Sequence, residues 1–144
     1  MHREMQNPSY WLPKTEPETY NFSQLHKDKK TNWNGVRNFQ ARNFLRQAKE
    51  GDLALIYHSG EERAVVGIAR VVRSAYPDPD NKKPGDWVQI DLQFDSKLKN
   101  PVSLKEIKTE KRLKDLLLIK QSRLSVMPVS SQDFKLILNM GEAV

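Results

Sequence analysis

Aromatic and polar side chains surround a turn near residue 35, and their types suit a flat ligand with hydrogen-bonding edges. The stretch from Thr31 to Arg46 places Trp33 beside an Asn-Gly turn and then continues to Arg37. Glycine takes positive φ without steric cost, and an aromatic ring stacked on a nucleobase contributes about 1–3 kcal/mol. This turn is therefore a candidate base-binding site. The alternative interpretation is that Trp33 closes one end of the core, since tryptophan is buried on average.

A second candidate is the polar segment K-T-E-P, which begins at Lys14 and lies between two prolines. Proline is unfavourable inside a helix, so the segment is expected to be an extended loop or the end of a strand. It presents Lys14 and Glu16 at a fixed, extended spacing. Glu16 could accept a hydrogen bond from a base amine, as carboxylates do from cytosine, although taken alone it favours a structural ion pair.

The residue pattern offers little for catalysis or metal binding. The three histidines are scattered without metal-ligand spacing, and the absence of cysteine excludes thiolate chemistry. His58 lies beside Ser59, but neighbours in a strand point to opposite faces, so the histidine would not activate the serine. We therefore predict no catalytic residue, no metal and no cofactor. A hydrolase or nuclease that uses His58, Ser59 and the Asp91/Asp95 face stays as an alternative.

The net charge of +6 comes from one part of the chain. Residues 97–123 hold nine Lys or Arg and three Asp or Glu, whereas the remaining residues hold fifteen of each sign. Such a segment can attract phosphates; the alternative interpretation is a solvated, lysine-rich helix face. The candidate phosphate-binding residues, which include one arginine after the turn, are Arg42, Lys105, Lys108, Lys111, Arg112 and Lys114.

The groups above must be positioned by a single domain of ordinary size. With 144 residues the chain is long enough to bury one core, and we expect a tail over residues 1–9 and one α+β domain over residues 10–144. No run approaches the 18 apolar residues of a membrane span, and the first residues lack the apolar core of a signal peptide. These features predict a cytoplasmic protein, or a nuclear one in a eukaryote.

The helix after the turn should begin at Asn38, whose side chain can accept from the free amides of the first turn. Ala41, Phe44, Leu45 and Ala48 fall at i, i+3, i+4 and i+7, the spacing of a buried helical stripe, and Gly51 is typical of a helix end. Apolar runs predict strands from residue 10 and over residues 53–58, 64–72, 87–95 and 123–129. Other patterns predict a helical turn capped by Ser23, an exposed loop over residues 26–30 and a closing helix over residues 130–140.

Several long segments resemble the EVE domain family. They are W-L-P-K-T-E-P (11–17), W-N-G-V-R-N-F-Q-A-R-N-F-L (33–45), G-D-L-A-L-I-Y-H-S (51–59), V-G-I-A-R-V (66–71), Y-P-D-P (76–79) and R-L-S-V-M-P-V (123–129). They occur in order and cover about residues 10–140. The resemblance implies a PUA-like fold, which is a small curled β-barrel flanked by short helices. It also implies a pocket for nucleic-acid bases, with 5-methylcytosine or 5-hydroxymethylcytosine in DNA as ligands.

The resemblance further implies which residues form the pocket: Trp11, Lys14, Glu16, Trp33, Gly35, Val36, Arg37, Asn38, Tyr57, His58, Ser59, Arg123, Leu124 and Ser125. Pro13 and Thr15 depart from the family pattern, in which an aromatic or small residue and a serine are more usual. We expect a monomeric, non-catalytic module with no membrane contact, whose partner is DNA or RNA carrying a modified base.

Other functions stay open at this point. Related PUA, YTH and ASCH domains suggest an RNA-modification reader with the same pocket. A small hydrolase or nuclease is the second alternative, and a domain that binds a small metabolite or anion without nucleic acid is the third. Sequence spacing does not show whether the candidate residues converge.

Overall fold

The computed structural model describes residues 8–80 and 84–142, which form six β-strands and five α-helices. A short 3-10 helix over Lys111–Leu113 lies between the third and fourth α-helices. In chain order the elements are β1 (Tyr10–Thr15), α1 (Phe22–Asp28), β2 (Lys30–Trp33), α2 (Phe39–Leu45), β3 (Leu53–His58), β4 (Ala64–Pro77), β5 (Val88–Ser103), α3 (Leu104–Thr109), α4 (Leu117–Lys120), β6 (Val126–Val129) and α5 (Ser131–Gly141).

The strands form one mixed sheet in the order β2-β5-β4-β3-β1-β6. β1 is parallel to β3, with Lys14 opposite Tyr57 and Thr15 opposite His58, and the other neighbours are antiparallel. Because β1 and β3 run in the same direction, the last residues of both strands lie at one end of the sheet. The predicted α+β class is confirmed.

The long hairpin of β4 and β5 extends beyond the predicted strands, which stopped at residues 72 and 95. β4 continues to Pro77 and β5 to Ser103. The added residues are mostly polar or exposed, so they carry no apolar run. They are strands because each extension pairs with the predicted part of the other strand, as Tyr76 does with Gln89 and Val102 with Val65.

The region before β2 differs from its prediction. Asn21, not Ser23, caps α1, since the Asn21 side chain accepts from the Gln24 amide at 2.8 Å. The predicted loop over residues 26–30 contains the end of this helix and the start of β2, which pairs with β5 through Trp33 and Ile90. The polar K-T-N sequence of β2 has no hydrophobic pattern, and pairing at the sheet edge decides its conformation.

The core side of α2 matches the predicted stripe, because Ala41, Leu45 and Ala48 are buried and Phe44 is partly buried against the core. The helix itself ends earlier than predicted, at Leu45. Gly51 instead lies in the turn before β3, with φ of +95° and its amide donating to the Val71 carbonyl.

At the end of the chain, β6 is shorter than predicted and begins at residue 126, because residues 121–124 form a turn. The predicted closing helix is confirmed as α5, whose Ser130 cap accepts from the Asp133 amide. Among the described residues, no helix has the length and apolar character needed to cross a bilayer.

Candidate functional site

One cavity gathers residues from segments that are distant in the sequence. Its volume is about 430 Å³, and its lining includes Lys14 from β1, Trp33 from β2 and Ser125 from directly before β6. β2 and β6 are at opposite ends of the strand order, so the sheet must curl for these residues to meet. The complete lining is Lys14, Thr15, Thr19, Tyr20, Thr31, Asn32, Trp33, Asn34, Gly35, Val36, Arg37 and Ser125.

The loop over residues 33–37 is held in place by Asp78, which is 4% exposed. One carboxylate oxygen accepts from the Gly35 amide at 2.9 Å and from Arg37 at 3.1 Å, and the other accepts from the Asp80 amide at 2.9 Å. Burial acts to raise the pKa of Asp78, but these donors outweigh it, so the pKa is lowered from its ordinary 3.8. Asp78 is therefore an ionised anchor for the loop.

Gly35 and Arg37 contribute to the conformation of the loop in different ways. Gly35 has φ of +79°, which favours glycine, although an added Cβ would meet no atom within 4 Å. Arg37 donates to Asp78 and to the carbonyls of Val36 and Asp80, at 3.0 and 2.6 Å for the two carbonyls. The guanidinium is thus occupied by protein acceptors, and its direct role is to brace the loop.

Lys14 is the cation that faces the cavity from β1. Its Nζ donates to the Ser122 carbonyl at 2.7 Å and lies 5.8 Å from the centroid of the Tyr57 ring. The ammonium is half-buried, and burial lowers the pKa of Lys14 from its usual 10.5. Tyr57 is buried beneath this lysine and does not line the cavity.

Hydroxyl groups dominate the opposite part of the lining. The Thr15 hydroxyl donates to the Tyr20 carbonyl at 2.8 Å, which leaves its lone pairs available as acceptors. The Tyr20 hydroxyl donates to Asp28 at 2.9 Å, and burial is the largest cause of its raised pKa. The cavity can therefore offer hydroxyl acceptors, one ammonium donor and aromatic surface to a flat polar ligand.

The comparisons with known proteins agree with this architecture. Residues 9–140 match the family model described as the EVE domain. The chain belongs to the EVE domain family. Thymocyte nuclear protein 1 of Rattus norvegicus is 35% identical to it, with 94% of this chain and 74% of that protein covered. The crystal structure of the human THYN1 protein in complex with 5-methylcytosine-containing DNA has a TM-score of 0.86 and 32% identity, and covers 93% of this chain and 98% of that one.

A more distant match bears on the fold alone. The YTH domain of the Zygosaccharomyces rouxii MRB1 protein, solved with N6-methyladenosine RNA, has a TM-score of 0.59 and 14% identity, and covers 100% of this chain and 93% of that one. The predicted PUA-like fold of the EVE domain is confirmed as a curled sheet with flanking helices. The sheet stays open, with β2 and β6 at its edges.

A second, smaller cavity of the EVE domain contains three more of the predicted pocket residues. Asn38, Arg123 and Leu124 line it, with a volume of about 320 Å³. Asn38 caps α2, as predicted, by accepting from the Ala41 amide at 2.9 Å. Lys14 connects the two cavities, because its hydrogen-bond partner Ser122 also lines this one.

Trp11 and Glu16 lie outside both cavities. The Trp11 indole is buried and donates to Asp52 at 2.9 Å, on the rim of a separate cavity of about 1030 Å³ near the start of β1. Glu16 is exposed, and its backbone carbonyl accepts from the amides of Thr19 and Tyr20. Trp11 therefore stabilises the packing of β1, while Glu16 shapes the turn that presents Thr19 and Tyr20.

His58 and Ser59 are also placed elsewhere. His58 Nε2 accepts from the Phe22 amide at 3.0 Å, and Nδ1 is 2.8 Å from Glu62. An amide can only donate, so the ring proton is assigned to Nδ1, which donates to Glu62. The Ser59 hydroxyl donates to the Thr15 carbonyl at 3.3 Å. Each side chain thus has a structural partner, and the two are not arranged as base and nucleophile.

The candidate phosphate-binding residues differ in whether their charged groups already have partners in the protein. Arg112 donates twice to Glu110, and this hydrogen-bonded pairing lowers the pKa of Glu110 to about 2. Lys105 and Lys108 line a shallow cavity together with Glu61 and Glu62. Arg42 donates to the Gly85 carbonyl, and Lys111 and Lys114 are exposed.

Six lining residues are absent from the predicted pocket: Thr15, Thr19, Tyr20, Thr31, Asn32 and Asn34. The assignment of residues 30–33 to a strand would have found Thr31, since residues i and i+2 of a strand share a face and Trp33 was already a candidate. Thr19 and Tyr20 lie in the turn after Glu16. The sequence of this turn has no pattern that points to a ligand, so these two residues could not be predicted.

Proposed function

We propose that this EVE domain is a non-catalytic module that binds nucleic acid and takes one modified cytosine base into the cavity of about 430 Å³. The observation that supports it best is the aromatic and hydroxyl-rich cavity on the 33–37 loop. The human relative was solved in complex with 5-methylcytosine-containing DNA. The family and the site therefore point to the same class of partner.

The size of the cavity favours a single base over a duplex edge. Small-molecule sites are typically about 300–1,000 Å³, and the cavity is near the lower end of that range at about 430 Å³. A base enclosed in this way must leave the stack, either from single-stranded substrate or by extrusion from a duplex. The domain would therefore prefer unpaired or easily opened strands.

The lining groups match the donor and acceptor pattern of cytosine. The Lys14 ammonium would donate to the ring carbonyl or ring nitrogen, and the hydroxyl oxygens of Thr15 and Ser125 would accept from the exocyclic amine. Trp33 and Val36 supply apolar surface, which can contact a methyl group at C5. The loop that carries both residues is held rigid by Asp78.

A direct test uses equilibrium binding to short oligonucleotides that differ in a single base. Cytosine, 5-methylcytosine and 5-hydroxymethylcytosine would be compared in matched DNA and RNA strands, with Trp33→Ala and, as a control for loss of a buried tryptophan outside the cavity, Trp11→Phe. We expect tighter binding of one modified form that is lost in Trp33→Ala and kept in Trp11→Phe, provided that circular dichroism shows both variants folded.

Two results would change this conclusion. Equal, weak and salt-sensitive binding of every oligonucleotide, unchanged in Trp33→Ala, would leave only a basic surface and overturn the base-binding proposal. A preference for the RNA strands that depends on Trp33 would keep the cavity but assign it to an RNA modification.

A further inference from the structure

The first residue of α2 is a large apolar side chain on the surface. Phe39 is 57% exposed, although it directly follows the Asn38 cap and lies on the outer side of the helix. Its ring stacks on the buried Trp87, with the ring centroids 5.0 Å apart and the planes 25° from parallel. The exposed ring is thus supported from below and held in one orientation.

Arginine side chains surround this aromatic pair. The Arg42 guanidinium carbon is 5.0 Å from the Phe39 ring centroid, and Arg46 lies one helical turn further on. Arg42 donates to the carbonyl of Gly85 and Arg46 to that of Asp86. Within residues 8–80 and 84–142, neither arginine forms a salt bridge, so no carboxylate offsets their charge.

The aromatic pair lies near the base cavity. Arg37 lines the cavity, and its guanidinium carbon is also 5.4 Å from the Trp87 ring centroid. Phe39 is two residues after Arg37, so their Cα atoms are at most about 7.6 Å apart. A neighbouring nucleotide of a strand whose base enters the cavity can reach a ring at this distance.

We infer that Phe39, backed by Trp87 and flanked by Arg42 and Arg46, is a stacking platform for the base next to the one in the cavity. This inference rests on the proposed function. Bases stack on aromatic side chains whatever their sequence, and cations beside the ring attract the phosphates of an unpaired strand. The domain would then bind at least two consecutive unstacked nucleotides, and the second would be bound without regard to its identity.

The test is a comparison of two variants on two oligonucleotides. One single strand carries a central 5-methylcytosine between ordinary nucleotides, and the other has abasic sites on both sides of it. We expect Phe39→Ala to weaken binding of the first strand about 5- to 100-fold and binding of the abasic strand less than about twofold. Phe39→Tyr, which keeps the ring, should bind both strands as the unchanged protein does.

A purely structural role for Phe39, as a cover for Trp87, gives a different result. Phe39→Ala would then weaken binding of both strands by the same factor, or of neither, and the platform would be rejected. Phe39→Tyr is the control for misfolding, because it keeps the aromatic ring. If Phe39→Tyr also weakened binding of both strands, that result would count against stacking.

A third variant separates this inference from the proposed function. Ser125→Phe places a large side chain in the cavity, away from Phe39. If Ser125→Phe weakens binding while Phe39→Ala does not, the base cavity stands and the platform is rejected. If Phe39→Ala weakens binding only of the strand that has flanking bases, while Ser125→Phe does not weaken binding, the platform stands and the base cavity is rejected.

Discussion

At the scale of single residues, Asp78 holds the loop that shapes the cavity. Its carboxylate is buried, yet it holds the Gly35 amide and the Arg37 guanidinium on the same oxygen. No chemistry with a ligand is required of it. A residue outside the cavity lining can therefore determine the shape of the cavity.

Asp78→Asn should destabilise the protein and weaken base binding together. Loss of hydrogen bonds to a charged group costs about 1–3 kcal/mol. The folded-state pKa of Asp78 lies below its ordinary 3.8, so the stabilisation is complete above that value and is lost as the pH falls through the folded-state pKa. Urea unfolding should show a stability gap between the two proteins at pH 7 that narrows near pH 3.

A matched control for this experiment is Asp95→Asn, since Asp95 forms a longer ion pair with the half-exposed Arg70 at 3.4 Å. Exposed pairs of this kind contribute about 0–1 kcal/mol. An Asp78→Asn gap that stayed constant with pH, or that matched the control, would mean that the Asp78 charge does not support the loop.

His58 illustrates why single residues are hard to assign from a sequence. Its neighbour in the chain, Ser59, suggested catalysis, but its actual partner is the amide of Phe22, 36 positions away. Strand periodicity correctly argued against the His58–Ser59 pair. Periodicity cannot supply the true partner, because that depends on where α1 packs.

At the scale of elements, the close approach of α1 to β4 is decided by one glycine. A Cβ on Gly67 would overlap the Phe22 ring, and Gly67 does not have positive φ, so the requirement is for space. A glycine in the middle of a strand is typical of such a close approach. Since α1 follows Tyr20, this contact also positions part of the cavity lining.

Gly67→Ala should cost about 1–3 kcal/mol through overpacking and should shift α1. The cost should shrink in a Phe22→Leu background, giving a coupling of more than about 0.5 kcal/mol in a double-mutant cycle. Gly60→Ala is the control: Gly60 has φ of +83° and open space, so its cost should not depend on residue 22. Additive effects of Gly67→Ala and Phe22→Leu in chemical unfolding would refute the steric explanation.

The elements that could be predicted are those with a hydrophobic pattern or a cap. β3, the buried stripe of α2 and α5 follow from apolar spacing and from Asn38 and Ser130. β2 and the extensions of β4 and β5 could not be predicted, because their mostly polar or exposed residues become strands only by pairing. Among the missed lining residues, Thr31, Asn32 and Asn34 lie in β2 or directly after it, whereas Thr15 ends β1 and Thr19 and Tyr20 lie in the turn that follows β1.

At the scale of the whole molecule, the cavity exists because the sheet curls. Lys14 and Trp33 are on strands separated by three others in the strand order, yet both line one space. The family resemblance predicted that these motifs meet, whereas spacing along the chain could not. The resemblance placed Trp11 and His58 in the same pocket, but both have structural partners outside it.

Phosphate binding by the basic segment, residues 97–123, also involves the whole molecule. Two adjacent residues of this segment, Lys111 and Arg112, allow it to be tested. Lys111 is exposed and, among the described residues, has no carboxylate partner, whereas Arg112 beside it is paired with Glu110. Each phosphate contact on a single strand contributes about 0.7 to the slope of log affinity against log salt concentration. We expect Lys111→Gln to reduce the slope by about this amount and Arg112→Gln to reduce it less. Equal reductions would mean that the Glu110 pair opens when nucleic acid binds, and two unchanged slopes would remove this segment from the interface.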